Sequence, residues 1–150
     1  MTTSRDKSKQ QAAPHPGPRS FAGVRLRKHA DYQRAYAASR KRQSASMSWF
    51  LAPQAEPAGP RVGITAGPRV GITAGKVLGK AHERNRIKRR MRELVRRHLE
   101  LLPPGFDLIL HPRRAVLDAD FTKLDAEIVR ILTQAETEAA RMRQAAAPKL

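Results

Sequence analysis

No cysteine occurs anywhere in this 150-residue chain. Disulfides, a thiol nucleophile and a cysteine-ligated metal are excluded together. Apolar runs are short, and none approaches the ~20 residues that span a bilayer as a helix. The opening MTTSRDKSKQQAAPHPGPRS lacks the apolar centre of a signal peptide. The expectation is a soluble cytoplasmic chain with no membrane partner. His15, His29, His82, His98 and His111 show no pairing with acidic residues that would hold a metal. His98, near the apolar face of a helix, is read as a packing residue. No Ser/His/Asp arrangement or phosphate-loop glycine pattern is present, so no catalytic residue and no metal ligand is assigned. Acidic residues are the other shortage: 13 Asp/Glu stand against 30 Lys/Arg, a net charge of +17. The pI of about 11.5 implies a polyanionic partner, whether RNA, DNA or an anionic surface.

What is present centres on Lys80 to Leu102, KAHERNRIKRRMRELVRRHLELL. Ile87, Met91, Leu94, Val95, Leu99 and Leu102 recur three or four positions apart, the spacing of one helix face. Asn85, Arg89, Arg92 and Arg96 line the opposite side, and Arg86, Arg90 and Arg97 run beside them. From Lys80 to Arg97, nine Lys/Arg face only Glu83 and Glu93, a net +7 on one element. Solvated helix faces usually interleave both signs. So many like charges together repel unless a polyanion neutralises them, and the face is read as a nucleic-acid contact.

The rest of the chain frames that helix. Residues 1–20 read as a disordered basic tail. A short helix is expected from about Lys28 to Ala38, with Tyr32 and Tyr36 at i, i+4. The two rings are either core residues or a stacking platform for unpaired bases, and the two readings are compatible. Ser39 to Ser48 reads as a polar basic loop. Met47 to Leu51 alternates as a strand, with Trp49 and Leu51 on one face and Phe50 on the other. Gly59–Ala66 and Gly67–Ala74 are identical copies of GPRVGITA. They form either two strands in a hairpin or one strand with a redundant copy. Pro103 ends the long helix at Leu102. Phe106 to Leu110 is a short strand, and His111-Pro112-Arg113-Arg114 leaves it as a basic loop. Asp120 is a good N-cap for a last helix whose apolar face is Phe121, Leu124, Ile128, Ile131, Leu132 and Ala135. It frays from about Met142. The fold class is α+β: a single domain over residues 21–140, a small β-sheet packed with helices in the order α-β-β(-β)-α-β-α, followed by a frayed tail at 141–150.

Arg84-Asn85-Arg86-Ile87-Lys88-Arg89, set in RVGITAGKVLGKAHERNRIKRRMRE, resembles the RNR signature of the bacterial ribonuclease P protein subunit. Leu26-Arg27-Lys28 with Asp31-Tyr32-Gln33-Arg34 and Tyr36 resembles that family's first helix. FDLILHPRRA resembles its last strand, and DFTKLDAEIVRIL its final helix. The resemblance implies a protein that pairs with a large catalytic RNA and assists removal of the 5′ leader from precursor tRNA. The protein itself would bind no cofactor, and Mg2+ is expected in the RNA site of the holoenzyme. It also implies a left-handed βαβ crossover, against the usual hand. By position, Arg84, Asn85, Arg86, Lys88, Arg89 and Arg92 match RNA-contacting residues. Tyr32 and Tyr36 match the aromatic positions of the leader cleft, and Phe50 joins them. A Ser-Lys-Lys-like stretch usual after RVGIT is here Ala74-Gly75-Lys76, which leaves Lys76 as its one cation. The family has one RVGIT strand, so copy one is the expected insertion. The alternative is a structural RNA-binding protein such as a ribosomal protein. A DNA-binding nucleoid protein is less favoured, because no helix-turn-helix spacing is visible.

Overall fold

Alternation along residues 47–53 decides how the sheet divides the molecule. The computed structural model describes residues 20–55 and 67–146. Helix α1 is His29–Ala38, and strands β1 and β2 are Arg42–Gln43 and Met47–Pro53. Strand β3 is Arg69–Ile72, helix α2 is Ala81–Arg96, strand β4 is Phe106–Pro112 and helix α3 is Phe121–Ala146. The four strands make one mixed sheet in the order β1-β2-β4-β3. β2 runs antiparallel to β4, from Met47↔Pro112 to Pro53↔Phe106. β3 runs parallel to β4, from Arg69↔Asp107 to Ile72↔Leu110. Helix α2 is the connection between those two parallel strands, a βαβ unit within an α+β domain.

Met47, Trp49 and Leu51 pack with Ile87, Met91, Leu94 and Val95 of α2 and Leu124, Ile128 and Leu132 of α3. The alternate positions Phe50 and Ala52 turn to the other face, where Leu26, Ala35 and Ile109 form a second, smaller cluster. Tyr32 and Tyr36 pack at its edge. Helices α2 and α3 therefore cover one face of the sheet and α1 part of the other. β4 is buried from Phe106 through Leu110 because both faces are covered.

Ions lock α1 to the sheet. Asp107 of β4 is fully buried. Arg69 of β3 donates to it twice, Nε to Oδ1 at 2.7 Å and Nη2 to Oδ2 at 3.0 Å. Arg34 of α1 donates to the same carboxylate at 3.1 Å and to Asp31 at 2.8 Å. Arg69 also reaches Asp31 at 3.1 Å, which closes a four-residue ring. The hydrogen bond from Arg34 holds the Asp31 carboxyl below its usual range despite its burial.

Several boundaries differ from the sequence reading, and β2 runs on from Leu51 to Pro53. Helix α2 stops at Arg96, and His98 leaves helical geometry at φ −132° and ψ 36°. Leu99–Leu101 then forms a tighter 3-10 turn. That turn still buries Leu99 and Leu102, so the apolar spacing looked like one continuous helix. The loop after α1 contains β1, a two-residue hairpin arm pairing Arg42↔Trp49 and Gln43↔Ser48. This strand is not among those the sequence reading places before α2. β4 continues through His111 to Pro112, where proline is tolerated as the terminal residue of the strand. Helix α3 runs past Met142 to Ala146. Its start is as expected, with the Lys123 N–H donating to Asp120 Oδ2 at 3.1 Å. Copy two of GPRVGITA supplies β3, and copy one lies outside the described residues.

Candidate nucleic-acid interface

Glycine and a short turn set the start of α2. Gly79 adopts φ +131°, which L side chains rarely reach. Beyond it, Glu83 Oε1 accepts the Lys80 N–H at 2.9 Å, satisfying one donor of the first turn. Arg114 grips the other oxygen of Glu83 at 2.8 Å and donates to the Leu78 carbonyl at 2.7 Å. The Arg114 guanidinium and then the Lys80 N–H pull the Glu83 carboxyl down to about 2. Glu93 is held by Arg96 at 2.6 Å. Both acids of α2 are thus engaged by arginines.

The cations of α2 divide into two groups. Arg90 Nη1 donates to the Val116 and Leu117 carbonyls at 2.9 Å, and Nη2 donates to Ala119 O at 2.7 Å. Its guanidinium also lies over the Phe121 ring. Arg97 lies over the same ring and 3.8 Å from Asp125. Arg90 is structural, although its spacing matched the exposed stripe, and Arg97 stays exposed beside Asp125. His98 also reaches Asp125, at 2.8 Å, and is half-buried. Asn85, Arg86, Arg89 and Arg92 are exposed, while Arg84 and Lys88 are half-buried. Lys76 is exposed on the 3-10 turn Lys76–Leu78 before the helix. Among the described residues, none of these seven side chains has an ion pair. Every side-chain ion pair there takes its cation from arginine, apart from His98.

Beside α2 a cleft of about 110 Å³ is lined by Phe21, Arg25, Tyr32, Ile72, Lys88 and Arg92. It brings one of the two tyrosines together with two of the helix cations. Tyr32 reaches this place because it lies across Gly71 of β3. A Cβ at Gly71 would fall 2.7 Å from Tyr32 Cε1 and Cζ, and closer still to its hydroxyl. The hydroxyl donates to Leu26 O at 3.4 Å.

Further along the same face the rings continue. Tyr36 lies 6.4 Å from Tyr32 between centroids and 5.0 Å from Phe50, edge to face. His111 joins them, 5.6 Å from Tyr36 and 5.1 Å from Phe50. All four are half-buried. Each tyrosine packs against the small cluster with part of its surface and leaves part in solvent, so the core reading accounts for only part of each ring.

Sequence reasoning missed Phe21, Arg25 and His111. The signal for Arg25 was alternation: Val24 and Leu26 are buried while Arg25 is exposed. Arg25 bridges Val70 as a short extension of the sheet. His111 could have been found by carrying the period-2 pattern of Asp107 and Ile109 one step further. Lys76, Asn85, Arg86 and Arg89 do not line the cleft. Among the described residues, no group of three or more His, Asp or Glu is placed to hold a metal. No helix among them is long and apolar enough to cross a membrane.

The family model described as Ribonuclease P matches residues 22–136. The Ribonuclease P protein component of Chloroflexus aggregans is 40% identical over 112 residues, 74% of this chain and 76% of that protein. The fold is similar to that of the Staphylococcus aureus RNase P protein, with a TM-score of 0.59 at 26% identity, covering 75% of this chain and 95% of that one. The RNase P protein from Thermotoga maritima gives a TM-score of 0.59 at 25% identity, covering 73% and 96%. Sequence and fold agree over the same elements that carry the cationic helix and the ring-lined cleft, and the chain belongs to the ribonuclease P protein family.

Proposed function

We propose that this chain works in the cytoplasm as the protein subunit of a ribonuclease P whose catalytic centre is RNA. The exposed side of α2 binds the catalytic RNA through Arg84, Asn85, Arg86, Lys88, Arg89 and Arg92, with Lys76 on the turn before it. Tyr32, Tyr36 and Phe50 receive the single-stranded 5′ leader of precursor tRNA. The observation that carries this reading is the cleft in which Tyr32 meets Lys88 and Arg92. An aromatic face beside unpaired cations suits a nucleotide, since the ring stacks on a base while the cations meet its phosphates.

The chain's part in the reaction is to bind and position. Cations from one rigid helix neutralise phosphates of two RNAs that otherwise repel each other. Rings held by the sheet keep the leader extended past the scissile bond. Magnesium held by RNA phosphates would supply the charge that activates water and stabilises the leaving oxygen, while the chain's own residues bind and orient the two RNAs. The test is reconstitution with the cognate RNA at low magnesium. Addition of the protein should restore cleavage of precursor tRNA and should tighten leader-bearing RNA more than mature tRNA. Equal affinity for the two RNAs would remove the leader from the cleft.

A further inference from the structure

The proposed leader contacts stop at three rings, but the platform has a fourth. His111 sits on β4 with its imidazole turned to the α1 face. Its Nε2 lies 2.8 Å from the Tyr36 hydroxyl. The ring meets Tyr36 at 80° and Phe50 at 55°. Phe50 and Ser48, its register partner, face it from β2, and Tyr36 faces it from α1. Lys41, just beyond α1, is the charged group acting on it, and no carboxylate does.

These neighbours define the resting state. Burial, and then the positive charge of Lys41, push the His111 imidazole below its ordinary range. Burial pushes the Tyr36 phenol up. At neutral pH the pair is therefore uncharged and shares one hydrogen bond. The other ring nitrogen, Nδ1, has no hydrogen-bond partner among the described residues. A phosphate laid along the rings would change that balance. It would screen Lys41 and favour the imidazolium, whose two nitrogens both donate.

We propose that His111 is a leader-contacting residue whose imidazole completes the ring platform and takes up a proton from solvent when a leader phosphate lies against it. The inference rests on the reading that the leader lies along Tyr32, Tyr36 and Phe50. Uptake of a proton on binding makes affinity rise as pH falls. The gain is about tenfold for each unit by which the bound RNA raises the imidazole's pKa. Above the pKa of the bound state the affinity is flat.

The experiment titrates the holoenzyme, protein with its cognate RNA, against leader-bearing precursor tRNA and against mature tRNA. It runs from about pH 7.5 down to 5.5 at fixed salt, across the ordinary histidine range. His111→Phe keeps a ring, and His111→Asn keeps a hydrogen-bonding group for Tyr36; neither titrates. The wild type should bind leader-bearing RNA several-fold to about tenfold more tightly at the acid end, with mature tRNA unaffected. Both variants should lose that acid tightening. A variant that keeps the wild-type pH slope, or a wild type with no slope, overturns the proposal. If the wild type binds the two RNAs alike at every pH, the leader reading itself fails and takes this inference with it.

Discussion

Gly71→Ala tests whether Tyr32 must occupy its seat on β3. The added methyl would meet Cε1 and Cζ of Tyr32 at 2.7 Å, far inside contact distance. Overpacking a core typically costs ~1–3 kcal/mol. Here the obstructed group is the outer end of a half-buried ring, which can swing toward solvent, so the cost falls at the low end. Replacing a strand glycine by alanine returns ~0.5–1 kcal/mol through reduced freedom of the unfolded chain. The net effect on stability is therefore small, between about zero and 2 kcal/mol, or a few degrees in Tm. The effect on binding is larger in proportion. A displaced Tyr32 loses one base stack, ~1–3 kcal/mol, or roughly five- to a hundredfold in affinity for leader-bearing RNA. The assay pairs a thermal melt with titrations of leader-bearing and mature tRNA. Gly75→Ala is the control, since no atom lies within 4 Å of the added Cβ there. If Gly71→Ala melts a few degrees early yet binds the leader like the parent, the seat of Tyr32 is purely structural and the stacking argument is wrong.

Four further outcomes are expected. Arg89→Ala should lower the slope of log affinity against log salt by ~1 and leave the Tm nearly unchanged. Arg90→Ala should do the reverse: it strands three carbonyls and should cost ~2–4 kcal/mol in a melt, with the salt slope intact. Copy two supplies β3 and its pairing with β4, and each doubling of a connection's length costs ~0.6 kcal/mol, so the chain lacking residues 59–66 should melt no earlier than the parent. In acid, the Glu83 carboxyl is depressed to about 2 in the fold, from 4.5 when free. Its contribution to stability is full above pH 4.5 and is lost as pH falls toward 2, so Glu83→Gln should flatten the acid limb of a Tm–pH curve.

Much of this was legible because periodicity reports burial. The alternation of Met47, Trp49 and Leu51 located the sheet's main face, and the spacing of Ile87, Met91, Leu94 and Val95 located the buried side of α2. Periodicity does not report what a cation touches. Arg86 and Arg90 belong to one stripe in the sequence. Yet Arg86 is exposed while Arg90 is bound by the chain at residues 116–119, which only the fold brings near. The end of α2 was misplaced for a related reason: an i, i+3 spacing fits a 3-10 turn as well as an α-helix. β1 has two residues, too few for any pattern. Tyr32 and Tyr36 were found as a pair, but the dependence of Tyr32 on Gly71 spans a non-local contact that local spacing does not encode.

The preference for arginine in the ion pairs has a chemical consequence. Guanidinium groups supply all the side-chain ion pairs of the described residues apart from that of His98, because a planar fork can satisfy two acceptors at once. The described lysines, Lys28, Lys41, Lys76, Lys80, Lys88 and Lys123, carry none of them. Grip on nucleic acid and integrity of the fold are therefore partly separable by amine chemistry. Mild acylation of lysine strips positive charge from Lys76 and Lys88 while sparing every guanidinium that ties the helices to the sheet. Protein treated this way should melt like the untreated chain and release RNA at lower salt.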